Sequence, residues 1–339
     1  NLDYNYFVDE GFVPKGYNQT DEGLGDFASW EESNVINENT LSYSKIFDKH
    51  NLNVLVGYTW QVQDIDQAVI FGQSYPSNRK YKLINATTIT SALTDAESYG
   101  LVSYLGRISY GYDDRYLLQL TVRRDGSSRF GPDSRFGNFP SASFAWRLSN
   151  EDFMEGTSNW LSELKPRISY GVIGNQEIGN NVWQARWNLS SPYNEQGGSQ
   201  PSNLENANLG WESTSQLNVG IDIGLFNNRF SIVADYFNKQ TEDLLLATNV
   251  PGNTGFKTVF ANAGTIENRG FEFALTSTNI EAGDFTWKST FNFTSIENEV
   301  VDVVNDGQLL SRNFILKEGE SLSSLYLVRF LGVDPTTGD

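Results

Sequence analysis

Apolar and polar side chains alternate with a period of two along much of this chain. From Leu52, one series reads Leu52, Val54, Val56, Tyr58 and Trp60, and the interleaved series reads Asn53, Leu55, Gly57, Thr59 and Gln61. Tyr116, Leu118, Leu120 and Val122 likewise alternate with Gln119, Thr121 and Arg123. Ala142, Phe144 and Trp146 alternate with Ser141, Ser143 and Arg147, and Ile168, Tyr170 and Val172 with Lys165, Arg167, Ser169 and Gly171. Further on, Leu217, Val219, Ile221, Ile223 and Leu225 oppose Gln216, Asn218, Gly220, Asp222 and Gly224, and Phe285, Trp287, Phe291 and Phe293 oppose Thr286, Lys288, Thr290 and Asn292. Successive strand side chains point to opposite faces, so each segment of about ten residues predicts a strand with one apolar and one polar face. No segment keeps a helical period, and the nearest is a short turn near 151–161. The pattern predicts an all-β chain of about eleven antiparallel strands.

The connections alternate too. Short turns are expected at 48–51, 113–115, 227–229 and 281–284, with a somewhat longer link at 150–163 in the same series. Between them fall long links, at 63–99, 125–139, 174–213, 246–263 and 300–322. An up-and-down sheet puts alternate connections on opposite sides, so all the short ones share one side and all the long ones the other. Outer-membrane barrels have this asymmetry, whereas a soluble sandwich has no physical reason for it.

Polarity orients the faces. Arg107, Arg123, Arg147, Lys165, Arg167, Asp222, Asp235, Glu272 and Lys288 all belong to the polar series. The interior of a small closed barrel would leave them without solvent at great cost, so a wide wet lumen is expected, with lipid on the apolar face. Tyr110, Tyr112, Tyr116, Trp60 and Trp146 fall near strand ends, where aromatic girdles are expected, although aromatic residues also favour strands generally.

Composition narrows the function. The 339 residues include no Cys, one His and one Met, with a formal net charge of −18. Thiolate chemistry and disulfides are excluded, the usual general base is scarce, and the charge speaks against nucleic acid as a partner. No apolar run approaches the roughly 20 residues of a membrane-spanning helix. The chain opens on Asn1 and is expected to be a stretch of something longer. About eleven strands would not close a wide barrel alone.

The run YLLQLTVRRDGSSRFGPDSRFGNFPSASFAWRLSN (116–150) closely resembles the barrel signature of SusC/RagA-like TonB-dependent transporters. So do EDFM (151–154), LKPRISYGVIGNQEIG (164–179), NLGWESTSQLNVGIDIGLFNNRFSIVADYFNKQTEDLLL (208–246), NAGTIENRGFEF (262–273) and GVDPTTGD (332–339). These segments keep their order and cover most of the chain after about Leu41, so 25–339 is expected to be part of such a barrel and 1–24 remains unassigned. The resemblance implies an outer-membrane protein of Gram-negative Bacteroidota, with a barrel of about 22 strands and an N-terminal plug. It also implies drive from the TonB complex, a SusD-like surface lipoprotein as partner, and oligosaccharides or peptides as cargo. Plug, TonB box and last strands are not recognisable in this stretch. No enzymatic activity, cofactor or metal is implied. A soluble all-β carbohydrate-binding protein, with its aromatic faces packed as sandwich cores, is the competing reading.

Cargo contacts are expected on the loops and the upper lumen wall. Sugar rings stack on aromatic faces, while amides and carboxylates fix orientation. The long links hold Phe71, Tyr75, Tyr81, Trp183, Trp187, Tyr193 and Trp211, and 175–193 adds Asn175, Gln176, Asn180, Asn181 and Gln184. Asn175, Gln176, Trp183, Trp187, Tyr193 and Tyr75 are therefore the candidate substrate-binding residues, with packing against neighbouring loops as the alternative. Asp125-Gly126 reads as a tight turn opening a loop, His50 as a turn residue, and Asp64 and Asp66 as carboxylates lacking further ligands.

Overall fold

The computed structural model describes residues 2–13, 24–74, 83–189, 191, 196–304, 308–311, 313–322, 324–328 and 332, with the backbone alone at 2–13, 24, 84 and 308–311. Strands β1 (Leu2–Val13), β2 (Leu24–Phe47), β3 (His50–Gln73), β4 (Thr88–Tyr112), β5 (Tyr116–Ser127), β6 (Phe136–Trp146) and β7 (Leu161–Asn175) follow one another across one sheet. The chain leaves it for a short pair, β8 (Trp187–Asn188) and β9 (Gln200–Pro201), and returns with β10 (Glu212–Leu225) and β11 (Phe230–Glu242). A second excursion forms the hairpin of β12 (Leu245–Asn249) and β13 (Thr258–Asn262), before β14 (Thr265–Ala282) and β15 (Phe285–Asp302) complete the sheet. Strands β16 (Gln308–Ser311), β17 (Phe314–Lys317) and β18 (Ser324–Leu325) make a separate small sheet. The main sheet has eleven strands in chain order, all antiparallel, as the alternation predicted. The backbone of β1, in the segment left unassigned, pairs along β2.

Register fixes the two faces. One rung runs Ser42, Leu55, Arg107, Thr121, Ser141, Gly171 and Gln216. A rung one residue away runs Tyr43, Val54, Ile108, Leu120, Ala142, Tyr170 and Leu217. The second is apolar throughout, yet Tyr43, Ile108, Leu120 and Tyr170 are 45–55% exposed. A band this wide and this apolar suits lipid rather than water. Among the described residues no helix is long and apolar enough to cross a membrane.

The connections sort as expected. The turns at Asp48, at Asp113 and Asp114, and at Asn227 and Asn228 place these residues at φ of 51–60°, a left-handed conformation that Asn and Asp tolerate best after glycine. The 147–160 link holds two short 3₁₀ turns, Leu148–Asn150 and Asp152–Thr157. Above these turns, an aromatic belt crosses the apolar face. Phe47 stacks on His50 at 4.9 Å, His50 lies 5.0 Å from Tyr112, and Tyr112, Tyr116 and Trp146 continue at 6.4 and 6.1 Å. His50 Nδ1 and the Tyr110 hydroxyl share a 2.6 Å hydrogen bond, so His50 belongs to this belt as much as to its turn.

Two expectations need correction. The link 63–99 is mostly strand: the β3–β4 ladder continues from Gln63↔Tyr99 to Gln73↔Thr88, leaving 74–87 as the connection. Similarly, 246–263 is largely the β12–β13 hairpin. Beyond the lipid, both faces of a strand meet water, so polar residues occupy both and the alternation fades while backbone pairing persists. Second, Asp125-Gly126 is no turn. Both residues lie within β5, buried near its end, and Gly126 pairs with Phe136.

Candidate functional site: the lumen wall and the loops above it

The polar face is an ordered lumen wall. Arg167 donates from Nη2 to Asp235 at 2.6 Å and from Nε to Asp222 at 3.2 Å, and Lys165 reaches Asp222 at 2.7 Å. These residues come from β7, β10 and β11, brought onto one face by the pairings Arg167↔Gly220↔Asp235. Higher up, Arg123 Nε donates to both carboxylate oxygens of Asp125 at 2.8 Å, and Nη2 to Ser103 at 3.2 Å. These charges are thus paired with one another through charge-assisted hydrogen bonds.

On the turn side, Glu151 ties the 147–160 link to the belt. Its carboxylate accepts from the Tyr116 hydroxyl at 2.7 Å, from Trp146 Nε1 at 2.8 Å and from Arg115 Nη1 at 3.0 Å. The Tyr116 and Trp146 hydrogen bonds, then the Arg115 charge, hold this carboxyl below its ordinary range. Lys49 does the same for Asp113 across the neighbouring turns, 2.7 Å away.

On the loop side, the 176–211 connection folds onto the wall through a small core of Phe130, Ile178, Trp183 and Leu209, with Val182, Trp211 and Leu245 packed against it. Arg129 locks it polar-side. Its guanidinium lies 4.2 Å from the Tyr99 ring centroid, its Nε donates to Asn180 Oδ1 at 2.9 Å, and Asn180 Nδ2 donates to Glu97 at 3.1 Å.

The six candidate residues separate accordingly. Trp183 is in the loop core, with Nε1 donating to the Ser128 carbonyl at 3.2 Å. Asn175 donates to Glu212 at 2.9 Å and accepts from the Glu177 backbone at 3.0 Å. Gln176 offers its carbonyl to Arg129, while its side-chain Oε1 is buried and has no protein partner among the described residues. Trp187 stands 59% exposed opposite Pro201 on the β8–β9 pair. Tyr75 and Tyr193, like Tyr81, lie outside the described residues. The structure therefore brings Asn175, Gln176 and Trp183 together at the base of one connection, and holds Trp187 on its arm. Phe71 is on β3, in a strand rather than a loop.

Sequence reasoning places cargo contacts on the upper wall but names only Gln176 and the loop aromatic Trp211 from the hollow found there. Leu101, Leu105, Arg123, Asp125, Phe139 and Ile173 line one hollow with Gln176 and Trp211. The Arg123-x-Asp125 spacing, two like-facing charges of opposite sign, is a further signal that could have pointed there. The other residues come from strands far apart in sequence. Among the described residues no three acidic or histidine side chains gather as a metal site.

Residues 1–322 match the family described as "TonB dependent receptor-like, beta-barrel". The chain is similar to TonB-dependent receptor P39 of Formosa agariphila, 37% identical over 302 residues that make up 88% of this chain and 29% of that protein. It is also similar to TonB-dependent receptor SusC of Bacteroides thetaiotaomicron, 35% identical over 66% of this chain and 23% of SusC. Among solved structures, the RagAB peptide transporter superposes with a TM-score of 0.89 at 27% identity, covering 99% of this chain and 38% of that one. The chain thus spans about a third of the length of the relatives it matches.

Proposed function

The chain belongs to the family of TonB-dependent receptor-like β-barrels, and from that premise we propose that it is part of the wall of a transporter importing oligosaccharides or peptides. Such barrels reside in the outer membrane of Gram-negative bacteria. In this reading TonB supplies work through parts of the protein outside this stretch, and a SusD-like surface lipoprotein meets the loop side. Binding and passage, rather than bond making, are the proposed tasks. The observation that carries the reading is the eleven-stranded sheet itself, apolar and exposed on one face and lined by paired charges on the other. A soluble carbohydrate-binding protein would have to bury that apolar face, and the register leaves it open.

The substrate contacts are proposed for the loop side: Trp187 on the exposed arm of 176–211, and Asn175 and Gln176 at the top of the wall, with Tyr75 and Tyr193 proposed on their sequence positions alone. Trp183 is proposed to act by holding the base of the loop in place. The test is uptake by the full-length protein in its own outer membrane. Labelled oligosaccharide or peptide should enter in a deletion-complemented strain and stop when the proton gradient is collapsed. Entry at an unchanged rate without TonB would overturn the reading.

A further inference from the structure

Near the loop-side edge of the lumen wall lies a hollow of about 360 Å³. Its surface is mainly aliphatic and aromatic, from Leu101 and Leu105 of β4, Phe139 of β6, Ile173 of β7 and Trp211. Ile173 is 62% exposed, on a wall that lower down presents Ser109, Gln119, Ser143, Ser169 and Asn218. Ile173 thus adds its exposed side chain to the apolar lining of Leu101, Leu105 and Trp211, a surface that an apolar group would cover more favourably than water.

The hollow is built by specific accommodations. A Cβ on Gly137 or Gly174 would collide with the Phe139 ring, so those two glycines let the ring lie flat against the wall. Trp211 is wedged 5.0 Å from Phe130 and 5.3 Å from Phe139, with its Nε1 committed to the Arg135 carbonyl at 2.9 Å. At the rim, Arg123 is 48% exposed although Asp125 and Ser103 hold it by Nε and Nη2. A guanidinium anchored along one edge can still offer N–H groups to a carbonyl or carboxylate.

We propose that this hollow takes an apolar side chain of a peptide cargo, with the Arg123 guanidinium receiving an adjoining main-chain carbonyl or terminal carboxylate. This rests on the import reading above and names the cargo class for the wall site. A sugar ring fits less well. Against Leu101, Leu105 and Ile173 its hydroxyls would lose water, with Thr121, Arg123, Asp125 and Gln176 as the only lining side chains able to replace those hydrogen bonds. The flat ring it would stack on is also covered, since Phe139 is only 8% exposed. A leucine-sized side chain meets the same surface with no unpaired polar atoms.

The test uses the purified full-length transporter with its surface lipoprotein and two fluorescent pentapeptides that differ only in a central Leu or Gly. The Leu peptide should bind about tenfold more tightly, the effect of burying one such side chain. Ile173→Trp, which fills the hollow from an exposed position, should bring the Leu peptide down to the level of the Gly peptide. Heat-modifiable mobility checks that the barrel has assembled. Leu105→Ala, which enlarges the hollow, should shift preference towards a central Phe and serves if the Trp variant does not assemble. Equal binding of the two peptides by the wild type, or a preference that both variants leave intact, would overturn the hollow and leave the import reading standing. A transporter that imports oligosaccharides and binds neither peptide would overturn the peptide assignment alone. One that imports neither class would overturn the import reading with it.

Discussion

Strands β2, β3 and β4 each have two halves that share one hydrogen-bonded ladder and differ in almost everything else. In the turn-side half of β3, the outward residues are Leu52, Val54, Val56, Tyr58 and Trp60; in the loop-side half they are Asp64, Asp66, Ala68 and Ile70. The register continues through both, so Asp64 and Asp66 take the same facing as Val56, with Ser33 and Glu31 beside them on β2. Ten residue steps from His50 to Trp60, at about 3.3 Å each and a tilt of about 40°, rise about 25 Å, the height of an outer-membrane apolar band. The solvent on the outward face, rather than backbone pairing, is what changes between Val62 and Asp64. Strand geometry is common to both halves, while side-chain chemistry reports where the lipid ends.

The largest effect should come from placing a charge in each half. Val56→Arg should cost about 2–4 kcal/mol of unfolding free energy in lipid, whereas Ala68→Arg should stay within about 0.5 kcal/mol. Denaturant titration of the full-length protein in vesicles measures both, and similar costs at the two positions would break the comparison.

A smaller effect should separate the two faces within the membrane half. On the lumen side, an added Cβ at Gly270 would run into the Ser295 carbonyl and the Phe237 ring, and at lipid-facing Gly106 it would meet nothing within 4 Å. Gly270→Ala should therefore destabilise by about 1–3 kcal/mol, and Gly106→Ala should be close to neutral in the same titration. A costly Gly106→Ala would mean that the outward face is packed against protein.

The mildest effect is pH-dependent and lies below the aromatic belt. Glu151 titrates below its ordinary value of 4.5, held there by Tyr116, Trp146 and Arg115. A depressed folded value means that its contribution is present above the unfolded value and is lost as pH falls through the folded one. Thermal stability should therefore drop on acidification below about pH 4.5, and Glu151→Gln should flatten that part of the profile. An unchanged slope in the variant would assign the acid sensitivity to other carboxylates.

The same contrast explains what could be read from the sequence. Where lipid wets one face and water the other, the chain must alternate, so the turn-side halves of β3, β5, β7 and β10 were legible residue by residue. Where water wets both faces, VQDIDQAVIF and TITSALTDAES carry no such constraint, and the 63–99 region resembled a loop although most of it is strand. Composition favoured loop aromatics as binding residues, but composition does not encode burial. Trp183 is a core residue because Phe130 and Leu209, 53 positions before and 26 after it, fold over it. The upper-wall hollow was hidden for a related reason: its lining is assembled by register across β4 to β7, from short runs at 101–105, 121–125 and 172–176 together with Phe139 and Trp211.

The most direct measurement of where lipid ends uses the absence of cysteine from this stretch. Single cysteines placed at the outward positions Val54, Val56, Tyr58, Trp60, Val62, Asp64, Asp66 and Ala68 of the full-length protein would be labelled in intact cells with a membrane-impermeant maleimide. Labelling should be negligible up to Trp60 and rise steeply between Val62 and Asp64. Uniform labelling along β3, or a rise at another height, would contradict a wall that crosses lipid in one half and stands in water in the other.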